Sequence, residues 1–181
     1  MRYVIVSVVD RDAGDFNNNL RKDVFYKFKA KSSKLPAHFT IKSPFDADNI
    51  DDLIKVLSDF ASNHKSAPYK IKGYDHFDNR VIFMKVLMSD EGKNIHNELI
   101  DDLSKLSYIN FNDKDGKNKI FHVTISSKKI QPIFSELWNY ILQYPCDFNC
   151  EFDNIAVFKW VDNTWVLFKQ FFFSFAMLAI F

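Results

Sequence analysis

Hydrophobic and polar positions change period along this chain in a regular order. Arg2 to Val9 alternates and is rich in Val and Ile, as a strand does. Asp15 to about Ala30 carries Leu20, Val24, Phe25 and Phe28 at helical spacing, with Asp15 placed to cap. Pro36 ends that helix, and Ala37 to Phe45 reads as a second strand. Ile50, Leu53, Ile54, Leu57, Phe60 and Ala61 share one helical face behind Asp48 as cap. Tyr69 to Phe77 and Arg80 to Leu87 predict a hairpin turning at Asp78 and Asn79. Ile95, Leu99, Leu103 and Leu106 mark a third helix, and a polar stretch from Asn112 to Lys119 follows. Ile120 to Ser127 reads as a strand. Ile133, Phe134, Leu137, Tyr140, Ile141 and Tyr144 predict a fourth helix stopped by Pro145. Two long strands follow, about Phe148 to Trp160 and Thr164 to Phe175, turning at Asp162 and Asn163. The class is α+β, and no linker or low-complexity break interrupts it, so residues 1–181 are expected to form one domain.

The pattern repeats. HFTI begins at His38 and HVTI at His122, and each is followed by a helix and a strand pair. Asn79 lies 41 residues after His38, and Asn163 lies 41 residues after His122. Two strand–helix–hairpin copies of equal length predict a duplicated unit related by a pseudo-two-fold.

Composition narrows the functions. At 47% hydrophobic and 26% charged residues, the chain buries a core and is not disordered. Lys and Arg number 24 against 23 Asp and Glu, so a net charge of +1 gives no field for coating duplex DNA, while a small phosphate ligand stays open. Only 4 glycines are present, and neither a Walker loop nor GxGxxG occurs. Arg2, Arg11, Arg21 and Arg80 are the only arginines, which argues against an extended RNA-reading surface. Cys146 and Cys150 stand four apart, about 13 Å on a strand, too far for a disulfide. They read as small hydrophobes in a reducing, cytoplasmic setting. Met1 to Asp12 alternates and meets acids too early for a signal peptide. Phe171 to Phe181 carries no charge yet is shorter than the about 17–25 residues of a membrane span. Its end, 174–181, is expected to pack on the core or on a partner, in a monomer or a weak dimer. A weak membrane anchor is the lesser alternative.

The chemistry lies in the two HxT strands. Residues i and i+2 on a strand share a face about 6.6 Å apart. His38, Thr40 and Lys42 are thus expected to point one way, and His122, Thr124 and Ser126 likewise. Facing each other, two imidazoles and two hydroxyls make a cradle for a tetrahedral phosphate. The hydroxyls donate to its free oxygens, one neutral His removes a proton, and the other, as imidazolium, returns one. No carboxylate stands at ligand spacing from either histidine, so neither metal nor cofactor is expected. His64, His76 and His96 neither repeat nor have a partner, and read as structural.

PAHFTIKSPF and FHVTISSK resemble the paired HxT motifs of the 2H phosphoesterase superfamily, in its 2′-5′ RNA ligase-like, cyclic phosphodiesterase branch. RYVIVSVV, the KIKGYDHF segment before VIFMKV, and the closing hairpin with TWVLFKQF agree, over about residues 1 to 173. The resemblance implies a bilobal fold with antiparallel sheets lining a central groove and helices outside. It implies metal-independent cleavage of 2′,3′-cyclic phosphates or 2′-5′ linkages of nucleotides or RNA ends. His38 and His122 would be catalytic and Thr40 and Thr124 would bind phosphate. Lys42, Phe45 and Ser126 are possible substrate contacts, and Tyr74, His76 and Tyr108 are further aromatic candidates. His122 is expected to activate water and His38 to protonate the leaving oxygen. A non-catalytic nucleotide or RNA-end binding module with the same groove is the alternative.

Overall fold

The computed structural model describes residues 1–174. The elements run β1 (Arg2–Val8), α1 (Arg11–Phe28), β2 (His38–Asp46), α2 (Asp51–Asn63), β3 (Ala67–Phe77), β4 (Val81–Met88), α3 (Asp90–Leu103), β5 (His122–Ser126), α4 (Phe134–Ile141), β6 (Asp147–Phe152), β7 (Asn154–Val161) and β8 (Thr164–Phe172). They build two antiparallel four-stranded sheets, ordered β2-β1-β7-β8 and β5-β4-β3-β6. Inner faces of both sheets share one core with the four helices. Ile5, Phe39 and Ile41 come from the first sheet and Ile82, Met84 and Ile125 from the second; Leu20, Leu57, Leu99 and Leu137 come from the helices. The fold is the bilobal α+β arrangement, with the sheets lining a groove and the helices outside.

The duplication is present, and its halves interleave. The hairpin that follows the first motif strand, β3-β4, sits in the sheet of the second motif strand, β5. The hairpin that follows β5, β7-β8, sits in the sheet of β2. Both turns fall where expected, with Asp78, Asp162 and Asn163 in the left-handed conformation such tight turns require.

The run from Phe148 to Trp160 is two strands, not one. β6 joins β3 in the second sheet, and the chain crosses at Asp153 to place β7 beside β1 in the first. Asn154 fixes the crossing: its buried amide donates to Val8 O at 2.9 Å and its oxygen accepts from Val8 N at 3.0 Å. α1 starts at Arg11, ahead of the expected Asp15 cap. Gly14 permits this, because a Cβ there would stand 2.1 Å from the Val9 carbonyl oxygen. α3 likewise starts early, at Asp90, where the Ser89 hydroxyl accepts from Gly92 N. At α2 the cap is not Asp48: the Asn49 side chain accepts from Asp51 N at 2.7 Å.

The loop that leads into each motif strand is tied to the other motif strand. Lys31, ahead of β2, offers its carbonyl to Ser126 Oγ at 3.0 Å, Ser127 N at 2.9 Å and Lys128 N at 3.1 Å. Asp115, ahead of β5, takes the Lys42 ammonium at 2.8 Å and Ser43 N at 2.9 Å, with the Ser43 hydroxyl also bonded. Arg21 of α1 holds the first loop through Ser32 Oγ and the carbonyls of Ser33 and Leu35. Leu35 then packs on Val4, Val6, Ala156 and Phe158, across the outer face of the first sheet. Segment 31–35 is thus a strap over that face. The hydrophobic end 175–181, with the dimer or anchor expected of it, lies outside the described residues. Among the described residues no helix is long and apolar enough to cross a membrane.

Lys42 and Asp115 are 4% and 1% exposed. Burial alone would push the Asp115 carboxyl up; the bonds from Lys42, Ser43 and Asn112 N outweigh it and hold the group below the usual range. Asp115→Ala leaves a buried ammonium uncompensated and is expected to destabilise the protein by about 3–5 kcal/mol. Adding Lys42→Met restores most of that stability, as read from urea midpoints. A loss of only about 1 kcal/mol, the range of a solvated pair, would contradict a buried link.

Candidate active site

Each motif strand is the outermost strand of its sheet, and the two approach each other between the lobes. In the first sheet His38 lies opposite Val8 and Thr40 opposite Val6, so both point to the outer, groove-side face, while Phe39 points to the core. In the second sheet His122 lies opposite Lys85 and Thr124 opposite Phe83, and Val123 points to the core beside Met84. The strand period thus puts His38 with Thr40 on one strand face and His122 with Thr124 on another.

The two histidines are anchored alike. Nδ1 of His38 lies 2.7 Å from Pro36 O, and Nδ1 of His122 lies 2.9 Å from Ile120 O, two residues back in each case. A carbonyl only accepts, so it places the ring proton on Nδ1 and leaves Nε2 with a lone pair. Burial lowers His38 to about 4; the Pro36 carbonyl opposes that, and positive charge at Arg21, His122 and Lys119 adds to it. His122 is also lowered, first by burial, with the Ile120 carbonyl opposing and Lys119 adding.

Side chains from each half also hold the other half's motif backbone. Lys119 donates to the Thr40 carbonyl, and Asn17 of α1 donates to the Thr124 carbonyl at 3.3 Å. Lys119 is buried, which lowers its ammonium to about 8, with Asp115 opposing. The Phe77 and Phe83 rings lie 5.1 and 5.0 Å from the His122 ring and wall its side of the groove.

Residues 15–164 match the sequence model of the 2'-5' RNA ligase superfamily. The chain belongs to that superfamily, the 2H phosphoesterases. A protein of Geobacillus sp. (strain WCH70) named "Putative phosphoesterase" is 22% identical over 176 residues, covering 94% of this chain and 95% of that protein. Among solved structures, TT0787 of Thermus thermophilus is similar with a TM-score of 0.66 at 13% identity, over 95% of this chain and 97% of that one. E. coli LigT in apo form is similar with a TM-score of 0.58 at 11% identity, over 96% and 97%. At such identities the likeness to solved structures shows the fold.

The expected third member of each 2H motif face is corrected. In β2, Val6 pairs with Thr40 but Ile5 pairs with Lys42, so Ile41 is an extra residue. In β5, Phe83 pairs with Thr124 but Ile82 pairs with Ser126, so Ile125 is extra. Each bulge reverses the alternation. Lys42 and Ser126 therefore turn inward, one to Asp115 and the other to the Lys31 carbonyl. Phe45 also turns inward, opposite Tyr3, and is buried between Tyr3 and Tyr108. Tyr74 lies opposite core Met84 and donates to Tyr144 O at 2.9 Å. Tyr108 bonds Asp52, and exposed His76 packs edge-on against Phe134 and Trp138. None of these six side chains shares the face of the motif histidines.

Lys85 does, and sequence reasoning missed it. It lies opposite His122 on the groove side and makes no ion pair among the described residues. The only signal was its place as the one charged residue within VIFMKVLM. Lys119, Asn17 and Asp115 left no periodic signal. Among the described residues no three His, Cys, Asp or Glu side chains converge as metal ligands.

Proton uptake follows from the burial. The unfolded chain binds protons at histidine as pH falls through about 6.5, whereas folded His38 resists until about 4 and buried His96 until about 3. Their contribution to stability is thus present above about 6.5 and is lost as pH falls from there toward 4 for His38 and toward 3 for His96. Histidine NMR titration is expected to place the His38 midpoint near 4, and inorganic phosphate should move it upward. A midpoint near 6.5 without phosphate would contradict the buried site.

Proposed function

We propose that this chain is a metal-independent phosphodiesterase that opens 2′,3′-cyclic phosphates or cleaves 2′-5′ linkages of nucleotides or RNA ends. The observation that carries the reading is the matched pair of imidazoles. Each is fixed through Nδ1 to its own backbone, with Nε2 left for chemistry, on opposing edges of two lobes. E. coli LigT solved with 3'-AMP has a TM-score of 0.56 to this chain at 12% identity, over 96% of this chain and 97% of that one. A nucleoside monophosphate is the product class that the proposed reaction yields.

We assign the two roles in the reverse of the sequence-based expectation. His38 is the more deeply buried and faces three positive neighbours, so it is the harder to protonate and serves as the base. His122 is the less buried of the two rings and serves as the acid. Thr40 and Thr124 donate to the free phosphate oxygens, and Lys85 adds positive charge beside His122. Water attacks phosphorus as His38 Nε2 takes its proton. The bond from phosphorus to one ribose oxygen breaks, and His122 gives its proton to that oxygen. The product is a phosphomonoester, and solvent returns the proton from His38 to His122.

Incubation with a 2′,3′-cyclic nucleotide in EDTA is expected to release the monophosphate. His38→Ala and His122→Ala should each lower kcat/KM by about 10²–10⁴-fold, and retention within tenfold in either would oppose the paired mechanism. Binding without turnover in the natural protein would leave the binding-module alternative. The kcat/KM profile should be bell-shaped and peak below neutrality. Its acid limb lies near 4, where His38 charges, and its other limb lies below the usual histidine value, where His122 loses its proton.

A further inference from the structure

A cavity lies away from the motif histidines, on the same outer face of the first sheet. It has a volume of about 270 Å³ and is lined by Arg2, Ser33, Lys34, Ser127, Lys128, Trp160 and Trp165. Trp160 and Trp165 face each other across the β7-β8 hairpin, with rings 5.0 Å apart and 70° between their planes. Both indoles are half-buried. The Lys34 ammonium stands 6.0 Å from the Trp160 ring centroid. The lining holds three cationic side chains and no carboxylate. None of the three makes an ion pair among the described residues.

Its position relates it to the motifs. Ala156 lies opposite Val6, which lies opposite Thr40. Ala156 and Phe158 therefore face the same side as Thr40, and Trp160 continues that face. Two strand spacings across and four residues along put Trp160 on the order of 16 Å from Thr40. Ser33 and Lys34 belong to the strap that leads into His38, and Ser127 and Lys128 follow the second motif strand. The cavity is too distant for the base attached to a phosphate between the histidines. It is within reach of a base further along the same strand.

We infer that this cavity is a subsite for a remote nucleotide of a single-stranded RNA end, with its base on the indoles and its phosphates on Arg2, Lys34 and Lys128. The inference rests on the phosphodiesterase reading and specifies its substrate class: an oligonucleotide end in preference to a free cyclic mononucleotide. The chemistry suits that ligand. Aromatic faces stack any base, and nearby cations follow the backbone. The volume falls below the roughly 300–1,000 Å³ of a drug-sized pocket, so it admits one flat ring system. With four arginines in the chain, RNA is gripped at a few points and not along a broad surface.

Two measurements test this on the full chain. The first compares kcat/KM for a trinucleotide ending in a 2′,3′-cyclic phosphate with that for the cyclic mononucleotide, at low salt. The natural protein is expected to favour the trinucleotide. Trp160→Ala should lower that preference roughly 5–150-fold, the loss typical of one base stack, and Trp160→Phe should keep most of it. Equal rates in the natural protein, or a preference unchanged in Trp160→Ala, would overturn the subsite. The second measures indole fluorescence in Trp138→Phe, titrated with a trinucleotide that has no cyclic end. Saturable quenching, weakened by salt and by Lys34→Met with Lys128→Met, supports the subsite. No quenching, or quenching by lipid vesicles or an apolar peptide alone, overturns it. If neither cyclic substrate turns over while the trinucleotide still quenches, the hydrolytic reading fails and the subsite stands.

Discussion

The arrangement of the two motif strands depends on their reciprocal anchoring. An edge strand has one unpaired side, and two such strands from different sheets have no ladder to set their relative position. Here each is held by the loop that precedes the other. Asp115 and Lys119, ahead of the second motif, grip Lys42, Ser43 and the Thr40 carbonyl. Lys31, ahead of the first motif, grips Ser126, Ser127 and Lys128. Several of these groups are buried, and a buried donor or charge without its partner costs far more than one in water. The links therefore act as constraints on position rather than as optional contacts. The two bulges belong to the same device. Each turns the third residue of its motif inward, where it becomes an anchor for the opposite half.

That anchoring shapes the chemistry. Two histidines held with Nδ1 on backbone carbonyls present Nε2 in a fixed direction, so the proposed reaction needs little reorganisation of either ring. Burial and nearby cations make both rings harder to protonate in the free protein. An anionic phosphodiester reverses the balance, because negative charge beside an imidazole favours its protonated form. In the proposed reaction the substrate's own charge therefore favours the protonated acid. Lys119 supports this field from behind the strand, with its ammonium on the Thr40 carbonyl and its charge felt at both rings.

Much of this was legible from residue order. Alternation and helical spacing located the elements, and the equal intervals from His38 to Asn79 and from His122 to Asn163 revealed the duplication. Alternation also placed His38 with Thr40 and His122 with Thr124. It failed one residue later in each strand, at Ile41 and Ile125. A bulge made by an isoleucine leaves no glycine or proline mark in the sequence. It failed again at Asp153, where a long strand-like stretch with no glycine or proline hides a crossing between sheets that the Asn154 amide fixes. The interleaving of the two halves could not be read from order at all, since a hairpin pairs equally well with either sheet by local rules.

By itself, then, the sequence determined the local periods, the repeat, and the two imidazole–hydroxyl pairs, because these depend on side-chain spacing within one strand. The tertiary structure alone decided which loops hold which strands, that Lys42, Phe45 and Ser126 face inward, and that Lys85 stands beside His122. It also decided that His38 is buried more deeply than His122. Those properties arise from groups far apart in the chain whose burial and charge act only once the lobes have closed on each other.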